Sequence, residues 1–243
     1  MRHRYNTNVW AATLLALTAV ICLGPESCAQ QNRRSEMDPV VHSFSVSGAP
    51  AIQALLQLSR DENMPLGIIV GDGEICRTRV TYSAENTPGS SIVAAIVASV
   101  GGYTSGRTSG SQVTVVRPTA ISPSTEQFLS LVDDRYAVKG NLPTLATMLW
   151  VHVRALLYPD EGTAGSILGS PADITFSLEL TDISVERILD SIALDTKGVW
   201  ILRPLPSVLR NLGSAPPFSI VSRAGHFSSK SDDLCSPAVA DRK

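Results

Sequence analysis

A nucleophilic hydrolase needs a serine or cysteine held beside a base, a zinc site needs Cys, His or carboxylate donors at short spacing, and a phosphate loop needs glycines ending in Lys-Ser or Lys-Thr. Against these patterns the 243-residue chain offers few candidates. His42 stands at a polar position of an alternating segment, His152 lies between Val151 and Val153, and His226 is near the C-terminus. None has a ligand partner at zinc spacing, so each reads as a surface or structural histidine. No serine occupies a Gly-x-Ser-x-Gly elbow; the serines cluster in turns, where their hydroxyls substitute for backbone partners. Asp133 and Asp134 are adjacent, so their side chains point to different sides of the chain, and they read as a solvated turn before a strand. Gly71-Asp72-Gly73-Glu74 lacks the rest of a phosphate loop and reads as a turn, while Trp150 and Trp200 read as packing residues. The residues thus predict no catalytic, cofactor or metal site.

Composition narrows the field further. The formal net charge is -2 and the basic residues are scattered, so there is no electrostatic footprint for nucleic acid. Arg2, His3 and Arg4 precede an apolar run from Val9 to Leu23 and a polar break at Gly24, Pro25 and Glu26, the order of a secretory signal peptide. Ser27-Cys28-Ala29 supplies small residues for cleavage after Ala29, which makes residues 1–29 the signal peptide and the mature chain periplasmic or otherwise exported. An uncleaved anchor and a lipidated Cys28 are the alternatives; the first is opposed by a run shorter than the roughly 18 to 20 residues of a span, the second by Pro25 and Glu26, which make a poor lipobox. No later apolar stretch is long enough to span, so the mature chain is expected to carry no membrane segment. Only Cys76 and Cys235 survive cleavage. An oxidising compartment permits their pairing, and two free thiols fit the sequence equally.

The elements that must position any site come in two similar series. His42 to Val46 alternates as a strand, Pro50 suits a helix start, and Ile52, Leu55, Leu56 and Ser59 fall on one helical face before Met64-Pro65. Leu66 to Val70 reads as a short strand, Gly71 to Gly73 as a turn into a loop carrying Cys76, and Arg79 to Ser83 as a strand with Val80 and Tyr82 inward. Thr87-Pro88 begins a helix with Ile92, Ile96 and Val100 on one face, stopped by Gly101-Gly102; Tyr103 and Val113 to Pro118 then form a hairpin. The second series runs Tyr136 to Val138, Gly140-Asn141-Leu142-Pro143, and a helix facing inward with Leu142, Leu145, Leu149, Val153 and Leu156. A loop is expected from Tyr158 to Ser170, where only Ile167 and Leu168 are apolar. Ile174, Phe176 and Leu178 then alternate, Ser184 caps a helix lined by Val185, Ile188, Leu189 and Ile192, Gly198 ends it, and Val199 to Pro204 closes with the Arg-Pro ending of Val113 to Pro118.

The predicted fold class is α+β, built from two tandem βαββαβ-like modules, each with two helices on a small sheet. The boundaries are 40–118 for the first module, 119–134 for a linker with a short amphipathic helix near Phe128 and Leu129, 135–205 for the second, degenerate module, and 206–243 for a disordered tail.

This order of elements, with Phe44-Ser45-Val46-Ser47-Gly48-Ala49-Pro50 followed by Ile52, Ala54, Leu55 and Leu58, and again the stretch Ile174 to Pro204, resembles the secretin and TonB short N-terminal domain. The resemblance covers nearly all of the mature chain outside linker and tail. It implies a non-catalytic periplasmic module that docks onto an envelope protein: a secretin, a TonB-linked receptor, an inner-membrane regulator, or a second copy of itself. The chain departs from the family in ending soon after the second module, so channel or receptor activity does not carry over. The expected docking edges are the opening strands around Phe44, Val46 and Val138 and the closing strands around Val115 and Ile201, because an edge strand offers unpaired backbone groups to a partner strand. The competing readings are an exported hydrolase whose site is unrecognised and a self-associating structural envelope protein.

Overall fold

The alternation and capping signals resolve into a mixed α+β fold in a computed structural model that describes residues 38–107, 111–160, 175–222, 225–227 and 234–236. The expected signal peptide with Cys28, the apolar pair Ile167 and Leu168, and Ile174 lie outside the described residues. The first series comprises β1 (Val40–Pro50), α1 (Ala51–Glu62), β2 (Leu66–Ile69), α2 (Glu74–Arg77), β3 (Arg79–Pro88), α3 (Gly89–Ala98), β4 (Tyr103–Arg107) and β5 (Thr114–Pro118). After α4 (Pro123–Ser130), the second comprises β6 (Val132–Gly140), α5 (Leu142–Leu157), β7 (Phe176–Ser184), α6 (Val185–Thr196) and β8 (Val199–Leu202). Beyond it come a 3-10 turn (Leu209–Asn211), β9 (Phe218–Ser222) and β10 (Gly225–Phe227).

The repeat is visible residue by residue. β1 pairs antiparallel with β3, and β6 pairs antiparallel with β7, each as a two-stranded ribbon. Along β1 the buried positions are Val41, Phe44 and Val46; along β6 they are Asp133, Tyr136 and Val138, with the same two-residue exposed step in between. That step breaks the period of two because the facing strand holds a left-handed residue at the same place, Asn86 (φ 46°) in β3 and Asp182 (φ 48°) in β7. Each is of the type that tolerates this conformation with least strain.

Beyond these ribbons the two halves share one sheet. β2 is parallel to both β5 and β8, Gly67 lying opposite Val115 on one side and Trp200 on the other, within a six-stranded sheet ordered β10-β9-β8-β2-β5-β4. The closing strand of the second half is thus inserted beside the short strand of the first, and the residues from Pro39 onward form one compact unit rather than two stacked modules. Alternate residues feed opposite faces. Leu66, Ile68, Val116 and Ile201 pack with α1 and α3, whereas Ile69, Val115, Trp200 and Leu202 pack with α5 and α6. Each such aliphatic side chain contributes on the order of 1.5–3 kcal/mol when fully buried.

Further expectations are corrected. The tail is not disordered throughout: β9 extends the central sheet on β8, and Leu209, Leu212, Phe218, Ile220 and Leu234 are buried, because the free edge of β8 and the apolar face above it need cover. The short helix expected in the linker is present as α4, which buries Phe128 and Leu129, but the linker ends earlier than residue 134, since β6 begins at Val132. The loop around Cys76 is the single helical turn α2, and Leu156, expected inward, is 41% exposed while Trp150 takes the buried place.

Candidate functional site

The proposed docking strands divide into two classes. β1 and β6 each have one strand neighbour among the described residues, so each ribbon keeps an unpaired backbone edge beside Phe44, Val46 and Val138. The side chains of those three residues are themselves buried, so what these strands offer outward is main chain, flanked by exposed Ser43, Ser45 and Ser47 on β1 and by Arg135, Ala137 and Lys139 on β6. The closing strands are not edges. Val115 lies in β5 between β2 and β4, and Ile201 lies in β8 between β2 and β9, so their backbone groups are already used on both sides. Sequence pattern could not separate the two classes, because a closing strand reads the same whether or not a neighbour from the other half flanks it.

Cys76 and Cys235 are joined by a disulfide, their Cα atoms 6.2 Å apart. It fastens the tail residues Leu234 and Cys235 to the α2 turn of the first half, and Leu234 enters the core that contains α1 and α3.

Several buried polar groups were not legible as partners. Asp133 is in β6, not in a solvated turn, and its Oδ2 lies 2.5 Å from His152 Nδ1 on α5. The pair replaces an apolar contact position, since Asp133 occupies the place that Val41 holds in β1. The Tyr136 ring meets the His152 ring edge-on at 5.4 Å, and the Tyr136 hydroxyl donates to the Leu145 carbonyl at 2.6 Å. Burial, with Asp133 nearby, pushes the Tyr136 phenol above its ordinary range. Among the described residues no hydroxyl or thiol hydrogen-bonds His152, and its contact with Asp133 gives that buried carboxylate a partner inside the second core.

A second cluster ties the halves together. Trp200 Nε1 donates to Asp190 Oδ1 at 2.8 Å, and Ser111 Oγ donates to Asp190 Oδ2 at 2.7 Å. Arg117 of the first Arg-Pro ending donates to Glu186 at 2.7 Å, and burial nonetheless holds the Glu186 carboxyl above its ordinary range, with Asp190 adding to the rise against the pull of Arg117. Arg203 of the second ending donates to the Pro216 carbonyl at 2.6 Å. Tyr103 donates to the Val70 carbonyl and to Asp72 Oδ1, and burial followed by the Asp72 charge raises its phenol. The Trp200 and Arg117 contacts join β8 and β5 to α6, whereas the Arg203 and Tyr103 contacts tie a strand or its end to a nearby loop.

Among the cavities lined by described residues, two that open to the surface stand out. One, of about 420 Å³, lies at the C-terminal ends of the parallel strands β2, β5 and β8 between Ile69, Asp72, Pro118, Ser122 and Pro204. The other, of about 320 Å³, lies between α1, the start of β8, the end of β9 and the disulfide-held Leu234. Among the described residues no three His, Cys, Asp or Glu side chains converge on a metal position, and no helix is long and apolar enough to cross a membrane. No family model matches the sequence, and neither a curated protein nor a solved structure matches it.

Proposed function

We propose that the chain is an exported, non-catalytic docking module of the bacterial envelope, which takes up an extended segment of another envelope protein on the open edges of its ribbons. The observation that carries this reading is that β1 and β6, the opening strands of both halves, each keep one backbone edge with no strand neighbour among the described residues. An edge strand supplies a row of donors and acceptors for a partner strand, and the partner's alternate side chains then read the surface beside it. The likeness of the element order to the secretin and TonB short N-terminal domain supports the same class of partner: a secretin, a TonB-linked receptor or an inner-membrane regulator.

The test is site-specific photo-crosslinking in living cells of the source organism, with the probe at exposed Ser45 on β1 and Ala137 on β6 and a control at exposed Gln127 on α4. Adducts at Ser45 or Ala137 to one envelope protein, absent at Gln127, are expected. Adducts only to a second copy of the chain would establish the self-associating alternative, and equal labelling at all three positions would overturn edge docking.

A further inference from the structure

α1 carries two stripes. Ile52, Leu55 and Ser59 face the core as expected, but Gln53, Leu56, Gln57 and Arg60, spaced by three and four residues, form a second stripe that walls the 320 Å³ cavity. Leu56, assigned by its spacing to the core face, is only partly buried because it belongs to this second stripe. Facing it are Lys197, Val199 and Val221, and Leu234 closes one side. The lining is thus apolar below, through Leu56, Val199, Val221 and Leu234, and cationic at the rim, through Arg60 and Lys197. No acidic side chain is among the described residues that line it. Arg60 has Asp61 beside it at 3.3 Å, but both side chains are exposed, and such a pair in water exchanges partners at little cost. Lys197 makes no ion pair among the described residues.

We propose that this cavity binds a small carboxylate with an apolar tail, the tail lying on Leu56, Val199, Val221 and Leu234 and the carboxylate reaching Arg60 and Lys197. A volume of about 320 Å³ is at the lower end of the roughly 300–1,000 Å³ of small-molecule sites, so the occupant is a short acyl chain or the terminal residues of a peptide rather than a bulky cofactor. The competing explanation of the cations is that each closes a helix: Arg60 lies in the last turn of α1 and Lys197 caps α6, where a positive charge complements the helix dipole. The two roles differ in what they move. A helix-end role changes the stability of the unliganded protein, whereas an anion-binding role changes affinity for the charged ligand and not for its uncharged analogue.

The experiment titrates the oxidised, isotope-labelled chain with octanoate, with octanol, and with an acetylated tripeptide ending in leucine, reading amide shifts by NMR. Saturable shifts at Leu56, Gln57 and Val221 are expected for octanoate or the tripeptide, with a Kd of roughly 0.1–1 mM from the usual efficiency of small ligands. Octanol should bind several-fold more weakly. Arg60→Gln combined with Lys197→Gln should loosen the carboxylate roughly five- to tenfold and leave octanol unchanged, since exposed charges each contribute a few-fold. Whichever carboxylate binds more tightly identifies the source, free fatty acid or peptide C-terminus. Octanol binding as tightly as octanoate, an unchanged carboxylate affinity in the double variant, or no saturable shift at this cavity with any probe would overturn the proposal.

Discussion

Substitution of Gly67 by alanine tests the central claim of the architecture, that the two halves share a sheet through β2 and β8. Gly67 lies opposite Trp200 in the parallel register, and the indole crosses the space where a side chain would stand. A Cβ at Gly67 would lie 2.5 Å from Trp200 Cε2 and 2.9 Å from Nε1, with Cζ2 nearer still, well inside contact distance. The indole cannot easily move, because it is fully buried and its Nε1 is held by Asp190 at 2.8 Å. Overpacking a close-packed site costs about 1–3 kcal/mol, and a fixed neighbour places Gly67→Ala near the upper end. Trp200→Leu alone loses packing and leaves Asp190 Oδ1 without its donor, about 3 kcal/mol or more. Together the two changes should cost less than their sum by at least about 1 kcal/mol, since leucine vacates the space the new methyl needs. Urea unfolding followed by far-ultraviolet circular dichroism of the four proteins measures this coupling. Additivity within about 0.5 kcal/mol would mean that Gly67 and Trp200 are not neighbours, and the shared sheet would fall with it.

Three further outcomes follow from the geometry. Reduction of the Cys76–Cys235 disulfide, whose residues are 159 apart in sequence, should lower the urea midpoint, because a closed loop of that length restricts the unfolded chain by up to about 5 kcal/mol; equal midpoints for oxidised and reduced protein would show that the tail clasp adds nothing to stability. Tyr103 and Tyr136 both have phenols raised by burial, so the stability they contribute is present below the ordinary tyrosine range near pH 10 and is lost as pH rises above it. A spectrophotometric alkaline titration should therefore leave these two phenols un-ionised until the protein unfolds, and smooth ionisation of every tyrosine in the native state would contradict it. Glu186, also raised by burial, contributes its relative stability at acid pH and loses it as pH climbs through its elevated folded value. The stability difference between the protein and Glu186→Gln should therefore fall as pH rises above the ordinary glutamate range, and a rising difference would mean that the Arg117 ion pair outweighs desolvation.

Local signals carried most of the elements. Ser184 accepts from the Arg187 amide as the capping reading requires, Gly101 and Gly102 both take positive φ after α3, and Val185, Ile188, Leu189 and Ile192 are fully buried on α6. These are decided within one turn or one strand, where spacing and residue type are sufficient. Partnership between distant segments was not legible. Nothing in Val199 to Leu202 distinguishes a strand that closes its own half from one inserted beside Leu66 to Ile69, and the five residues Phe218 to Ser222, directly after a proline pair, carry too short a period to announce β9. The pairing of Asp133 with His152 is illegible in sequence for the same reason: neither has a partner nearby in the chain, and only the fold brings them to 2.5 Å. One local clue existed, since Asp133 stands where the repeat places Val41, and a buried position filled by an acid requires a compensating donor.

Sharing the central sheet also decides which edges remain for a partner. β5 and β8 are consumed inside it, so strand addition at the opening strands falls to β1 and β6, whose ribbons stand apart from it. The two are not equivalent. β6 exposes Asp134, Arg135 and Lys139, and charged side chains, lysine above all, are the means by which natural edges resist a passing strand. β1 exposes Ser43, Ser45 and Ser47, which are short, uncharged and able to hydrogen-bond, beside Val40 at 55% exposed. Backbone pairing on β1 therefore displaces no charge and sets no lysine against the incoming chain. If edge docking is the function, the crosslinks from Ser45 should outnumber those from Ala137, and introducing Ser45→Lys should suppress capture while leaving the fold unchanged, since position 45 is exposed and lies outside both cores. Capture that survives Ser45→Lys undiminished would move the docking site away from β1.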